Sequence, residues 1–214
     1  MSLAFTSAIN DIYKSSLRSW KKIVQSYVLD NTNFLLNLLG EIEFVVKATD
    51  AMRRLRDKGC ELCVPEIRPM EERAFRATAL YNPCVAAKID EDIVTNDLVF
   101  DENAMIYVLT GPNRGGKSVI TCAIGIAQAM LQLGMFFPAR SAVISPVDAI
   151  YTHFPTGAED TIDKGRLGEE CARLDEIFDH VTANSLVLLD ESLSSTGSYE
   201  ASYIAAEVLG GLSM

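Results

Sequence analysis

Apolar residues recur every three to four positions through the first sixty residues, and then the rhythm changes. Ile9, Tyr13, Trp20, Val24 and Tyr27 fall at helical spacing within residues 5–29, with Lys14, Arg18, Lys21 and Lys22 among the polar positions. Leu35, Leu38, Ile42, Val45 and Met52 form a second stripe within residues 34–58. Between the two lies Asp30-Asn31-Thr32-Asn33, which has turn and N-cap chemistry, and Gly59 stands where a helix C-cap would. The pattern predicts a helical hairpin over residues 1–64. Such a hairpin is either a plain packing element or the base of a lever that joins the rest of the chain to something else.

Pro65 and Pro69 break that pattern. Residues 74–80, 85–89 and 97–100 read as short extended runs. Residues 105–109, Met-Ile-Tyr-Val-Leu, form a compact apolar run that suits a strand buried on both faces of a sheet. Residues 119–133 read as a helix ended by Gly134, and 141–144 as a strand. Residues 146–162, with Pro155 and Gly157, read as loop. Leu174, Ile177, Phe178 and Val181 give 169–181 helical spacing, 186–189 form a second compact apolar strand, and 199–209 read as a closing helix. Strands alternating with helices imply an α/β domain over residues 65–214, with a mainly parallel sheet flanked by helices.

Composition narrows the function classes. The 214 residues carry a net charge of −10, whereas a free-standing nucleic-acid binder is usually basic because phosphate neutralisation supplies much of its affinity. Tight binding of DNA by this chain alone is therefore not expected. No apolar run approaches the roughly 20 residues of a membrane span, and no basic segment followed by an apolar block opens the chain. Five cysteines without such a leader point to reduced thiols and a cytoplasmic, or nucleoid-associated, setting. Cys60 and Cys63 form a C-x-x-C, but no second pair follows, so two ordinary thiols are expected rather than a zinc site.

The chemistry concentrates at two places. Gly111-Pro112-Asn113-Arg114-Gly115-Gly116-Lys117-Ser118 fits G-x-x-x-x-G-K-[ST] between a predicted strand and a predicted helix. Glycines let such a loop wrap closely round phosphates, its N–H groups point inward, and the following helix adds the positive end of its dipole. Lys117 would neutralise the β- and γ-phosphates of ATP and Ser118 would ligate Mg²⁺. Asp190 closes the apolar strand 186–189, where an acid points into the ligand crevice and would hold the Mg²⁺. Glu191 would polarise the attacking water. An α/β P-loop NTPase is the expected fold class, with Lys117 and Glu191 as its catalytic residues.

The run Thr110 to Ser118 resembles the phosphate loop of the MutS family of DNA mismatch repair ATPases, T-G-P-N-M-G-G-K-S-T. The Pro-Asn pair and the doubled glycine make it more specific than a bare P-loop. Phe137-Pro138-Ala139, the run Pro146 to Thr152, Gly157-Ala158-Glu159-Asp160 and Lys164-Gly165-Arg166 are similar to segments that follow in the same order in that family. Ser185-Leu186-Val187-Leu188-Leu189-Asp190-Glu191 is similar to its Walker B strand. Ile93-Val94-Thr95-Asn96 sits where MutS proteins have a segment lining the adenine. The resemblance implies that Ile93 packs on adenine, with Asn96 nearby, and that Asn113 contacts the γ-phosphate region. Pro112, Arg114, Gly115, Gly116 and Val119 would complete the nucleotide contacts.

It also implies that the N-terminal helices are the base of lever arms leading to a DNA clamp, and that sites form between two subunits of a homodimer or heterodimer. Several positions depart from the pattern. Arg114 replaces Met, Val119 replaces the second hydroxyl residue, and His153 stands where arginine is common. Arg166-Leu167-Gly168-Glu169-Glu170 occupies the place of a Ser-Thr-Phe segment, and Ser192-Leu193-Ser194-Ser195-Thr196 that of Leu-Gly-Arg-Gly-Thr. A divergent fragment, with the mismatch-reading domain and the last strand missing, is expected. Two other readings stand beside this one. One is a nucleotide-binding switch or scaffold with little turnover. The other is an ABC- or SMC-type ATPase, disfavoured because no Leu-Ser-Gly-Gly-like signature precedes the second motif.

Overall fold

A computed structural model describes residues 2–100, 104–155, 165–191 and 197–213. The chain divides into two compact units, Met1–Ala51 and Met52–Met214. The first lies within α1, Ser2–Asp57, a single uninterrupted helix. The hairpin turn expected at residues 30–33 is not formed. Cap-type side chains define a terminus only when the backbone leaves the helix, and here Thr32 has another option. Its Oγ1 donates to the Val28 carbonyl four residues back (2.7 Å), which satisfies the hydroxyl within the helix. In this unit Leu17, Trp20, Tyr27, Leu35 and Ile42 are all more than half exposed.

The second unit begins where α1 becomes buried. Leu55 packs with Tyr81 and Ala86, and Met52, Cys60 and Leu62 line the same cluster. Met52, Leu55, Cys60 and Leu62 thus contribute to the core of this unit. Gly59, at φ 82°, ends the helix: its N–H bonds the Arg56 carbonyl (2.9 Å) and Cys60 N–H bonds that of Leu55 (3.0 Å). Those two bonds are a Schellman cap, which needs the left-handed backbone that glycine adopts without strain.

Four strands form one sheet in the order β1 (Glu66–Ile67), β4 (Ser141–Ile144), β2 (Phe75–Leu80), β3 (Asn96–Phe100). Only β1 and β4 are parallel; β2 runs antiparallel to both its neighbours. A separate parallel pair joins β5 (Ile150–His153) to β6 (Leu186–Leu189). The larger sheet is therefore mostly antiparallel, which corrects the expected mainly parallel one. The apolar run 105–109 forms no strand, and Met105, Val108 and Leu109 are more than half exposed. An apolar run becomes a strand only where neighbours complete its hydrogen bonds, and no ladder among the described residues pairs it. Tyr107 instead lays its ring 4.3 Å from that of Phe100.

Two further expectations change. Residues 85–89 are not extended: Pro83–Ala86 form a short helix, α2, with Asn82 as N-cap and Pro83 at its first position. The segment expected to be loop contains β5, which obtains its ladder from β6. The part of it from 156 to 162 lies outside the described residues.

The core lies around α3, Lys117–Gln132. Ala123, Ile124 and Ala127 pack with Phe75, Ala77, Leu80 and Ile144 of the sheet, with Phe137, and with Leu188 of β6. Small residues on the helix let it lie close to both sheets. Gln128, buried within that core, donates to the Ser145 carbonyl (3.0 Å), so its amide is paired as burial requires. Two more helices, α4 (Arg166–His180) and α5 (Ser198–Leu212), complete the unit. Asp148 pins the entries to β5 and β6: its carboxylate accepts from Thr182 and from Ser185 Oγ (2.7 Å), bonds that lower its pKa.

Candidate functional site

The glycine-rich segment forms an exposed loop that leads directly into α3. Its turn is closed by Gly115 N–H bonding the Pro112 carbonyl (3.0 Å). A Cβ on Gly115 would stand 2.9 Å from that same oxygen, so the turn excludes any side chain there. Gly116 caps the helix at φ 84°. Arg114 also holds a left-handed backbone, φ 64°, a conformation uncommon in residues other than glycine. The Lys117 ammonium donates to the Gly111 (3.1 Å) and Pro112 (2.9 Å) carbonyls, so the cation is held over the loop. Pro112, Asn113, Ser118 and Val119 are exposed beside it.

The second element meets the helix that this loop starts. Gly125 lies against Leu188, so closely that a Cβ on it would stand 2.5 Å from Leu188 Cδ1. One turn earlier, the Cys122 thiol senses the Asp190 carboxylate: burial raises its pKa first, and the charges of Asp190 and Cys84 raise it further. α3 and β6 thus touch at Gly125 and Leu188, two residues before Asp190. Ser118, four residues before Cys122, shares its helix face. Asp190 is fixed where it stands by its N–H, which bonds the His153 carbonyl (3.0 Å) one residue beyond the β5–β6 ladder. Glu191 follows, exposed and at φ 45°.

Ile93 is half-buried against the cluster of Leu55, Tyr81 and Ala86, and Asn96 opens β3 opposite Leu80. Gly157 to Asp160, Lys164 and the segment Ser192 to Thr196 lie outside the described residues. The Arg166 to Glu170 segment forms the first turns of α4, where Glu170 is buried and its carbonyl meets His153 Nε2 (3.2 Å). Among the described residues no group of three or more His, Cys, Asp or Glu is placed to hold a metal ion, and all five cysteines are free thiols.

Sequence reasoning missed Asn82 and Lys58. Asn82 is buried; its Oδ1 accepts from Cys84 (3.0 Å) and Val85 (3.2 Å) N–H, while its Nδ2 donates to the Val119 carbonyl in the first turn of α3 (3.0 Å). Lys58 donates to the Ala86 (3.2 Å), Ala87 (3.2 Å) and Ile89 (2.7 Å) carbonyls at the other end of α2. The pair Asn82-Pro83, a cap residue followed by proline, carries a local signal for the start of α2 but none for the bond to Val119.

Taken together, these elements define a mixed α/β domain in which a glycine-rich loop starts a helix that packs on the strand ending before Asp190. The profile of MutS domain V matches residues 107–213, half of the chain. The DNA mismatch repair protein MutS of Prochlorococcus marinus (strain MIT 9301) is 32% identical over 148 residues, 69% of this chain and 16% of that protein. MutS of Lactobacillus delbrueckii subsp. bulgaricus (strain ATCC BAA-365 / Lb-18) is 30% identical over 192 residues, 88% of this chain and 21% of that protein. The probable DNA mismatch repair protein Msh6 of Drosophila melanogaster is 36% identical over 157 residues, 71% of this chain and 13% of that protein. The chain belongs to the MutS family. It spans about a fifth or less of the length of the curated relatives it matches. No helix among the described residues is long and apolar enough to cross a membrane.

Proposed function

We propose that this chain binds ATP with Mg²⁺ at the loop 111–116 and hydrolyses it, as the ATPase part of a MutS-type DNA repair protein. In the whole protein, nucleotide state would be coupled to the binding of mismatched or branched DNA by a dimer, with α1 as connector. The observation that supports this reading is that the helix started by the loop packs against β6 at Gly125 and Leu188, two residues before Asp190.

The donor set fits the ligands. A triphosphate needs main-chain N–H groups, a helix N-terminus and a cation, and the exposed loop, α3 and Lys117 supply them. Open space beside Gly111 and Gly116 leaves room for close approach. Mg²⁺ is commonly held by one or two carboxylates together with substrate phosphates and waters, so Asp190 and the Ser118 hydroxyl suffice without a protein cage. When bound, the metal neutralises charge developing on the phosphates. Lys117 would exchange its bonds to Gly111 and Pro112 for phosphate oxygens. Glu191 would orient and deprotonate water, and Ile93 with Asn96 would flank the base.

One feature favours a second reading, a nucleotide-binding switch with little turnover. Where relatives' resemblance implied a Ser-Thr-Phe segment, this chain has helical Leu167 to Glu170. Phosphate release by wild type against Glu191→Ala separates the two readings. Nucleotide titration tests the site itself. Lys117→Ala removes charge-assisted bonds worth on the order of 1.5–3 kcal/mol each, so ATP affinity falls at least about tenfold. Asp190→Asn weakens binding more with Mg²⁺ than with a chelator. Tight binding by Lys117→Ala, or equal losses in both conditions for Asp190→Asn, would overturn the assignment.

A further inference from the structure

We infer that Asn82 is a positioning residue for the proposed nucleotide site, bracing the first turn of α3 from outside the loop. This rests on the phosphate-loop reading above. Asn82 does two jobs with the two ends of one buried amide. The oxygen caps α2, accepting from Cys84 and Val85 N–H. The nitrogen crosses to the next helix and donates to the carbonyl of Val119, the residue immediately after Ser118. An amide is the one neutral group of this size that accepts on one atom and donates on the other, so the arrangement specifies Asn in particular.

The brace has a fixed far end. Only four residues long, α2 is too short to hold a position by its own hydrogen bonds. Lys58 fastens it, donating to three carbonyls at its C-terminal end and pairing with Asp90 (3.3 Å). Lys58 directly follows α1. Ala86 of α2 also lies in the small core formed with Leu55 and Tyr81, against which Ile93 packs. Asn82 therefore ties the start of α3 to the block that carries the residue proposed to flank the base. Phosphate and base subsites would be held at a set spacing by this amide.

Asp at position 82 separates the two jobs. Asn82→Asp keeps the cap acceptor, and a carboxylate is favoured at a helix N-terminus. It replaces the donor with an oxygen that repels the Val119 carbonyl. The expected result is an ATP affinity about fivefold or more lower, the size of one lost hydrogen bond, together with a lowered thermal midpoint, because the carboxylate is buried against that carbonyl. Asn82→Ala loses both jobs and falls in both readouts.

A second measurement does not depend on any variant folding. In wild type, saturating ATP should slow hydrogen exchange at the α2 amides of Ala86 and Ala87 as well as in α3. Wild-type affinity in Asn82→Asp, or protection confined to the loop and α3, would overturn the brace. Failure of wild type to bind ATP at all would instead remove the proposed function.

Discussion

Replacing Gly125 with alanine tests the contact on which the site geometry rests. In a helix interior, Gly→Ala ordinarily stabilises by about 0.5–1 kcal/mol, because alanine loses less backbone freedom on folding. At Gly125 the added Cβ would stand 2.5 Å from Leu188 Cδ1. Ordinary carbon contacts are about 3.5–4.0 Å, so helix or leucine must give by roughly 1 Å. Leu188 is buried in the core with Ala123 and Ala127, so turning its methyl away presses on those neighbours. Overpacking of this kind costs about 1–3 kcal/mol. The net expectation is a loss of about 1 kcal/mol, or roughly 2–4 °C in thermal midpoint for a chain of this size.

In a Leu188→Ala background, itself destabilised by about 2–5 kcal/mol, the obstructing methyl is gone and Gly125→Ala should become stabilising by up to about 1 kcal/mol. The coupling, about 2 kcal/mol, is read from urea unfolding of the four members of a double-mutant cycle. If Gly125→Ala changes stability by the same amount in both backgrounds, α3 does not pack on β6 at this point, and the approach of Ser118 toward Asp190 loses its support.

Two further outcomes follow from buried groups away from the loop. Tyr81 is fully buried, and its hydroxyl has no hydrogen-bond partner among the described residues; burial, followed by the charges of Cys60, Cys63 and Glu61, drives its pKa far up. Tyr81→Phe should therefore raise stability by up to about 1 kcal/mol in denaturant titration, and a loss of similar size would show that the hydroxyl is paired. Burial also lowers the pKa of His153, helped by the Arg173 charge and opposed by its bond to the Glu170 carbonyl and by the Glu170 charge. Between the depressed folded value and the ordinary value near 6.5, only the unfolded state takes up the proton, so stability falls as pH drops from about 6.5 toward the folded value. His153→Gln should flatten that part of a stability–pH profile; an unchanged slope would assign it to other groups.

Strands 141–144 and 186–189 were legible because each is a short apolar run bounded by turn residues. The start of α3 was legible because glycine, lysine and serine at fixed offsets mark a loop-to-helix junction. The remaining differences share one cause, that a local pattern does not name its partners. Residues 105–109 have the composition of a buried strand, yet Tyr107 stacks on Phe100 and no ladder forms. Ile150 to His153 lack that composition, yet β6 makes them a strand. The cap chemistry at 30–33 would end a helix only if the backbone turned, and Thr32 finds its acceptor without a turn. For the site, the loop could be read but the α3–β6 register could not, since it depends on which helix residue lacks a side chain opposite Leu188. Asn82 could have been read from Asn-Pro, but only its capping role; the bond to Val119 spans 37 positions.

The departures from the family pattern in this loop carry less weight than their number suggests, because of where the loop's shape resides. Gly115 is excluded from bearing a side chain by the Pro112 carbonyl, and Gly116 sits at a left-handed φ that suits glycine. These are constraints on the main chain, and the main chain supplies the N–H donors. Arg114 and Val119 differ from the family residues only in side chains that are exposed. Arg114 holds φ 64° at a cost of about 1–2 kcal/mol, a strain that persists only where neighbouring turns fix it. Glu191 holds φ 45° directly after Asp190. Left-handed non-glycine residues thus stand in the loop and after β6, as they also do at Arg73 and Ala79. The shape of the loop therefore rests on its main chain more than on the identities of the substituted side chains.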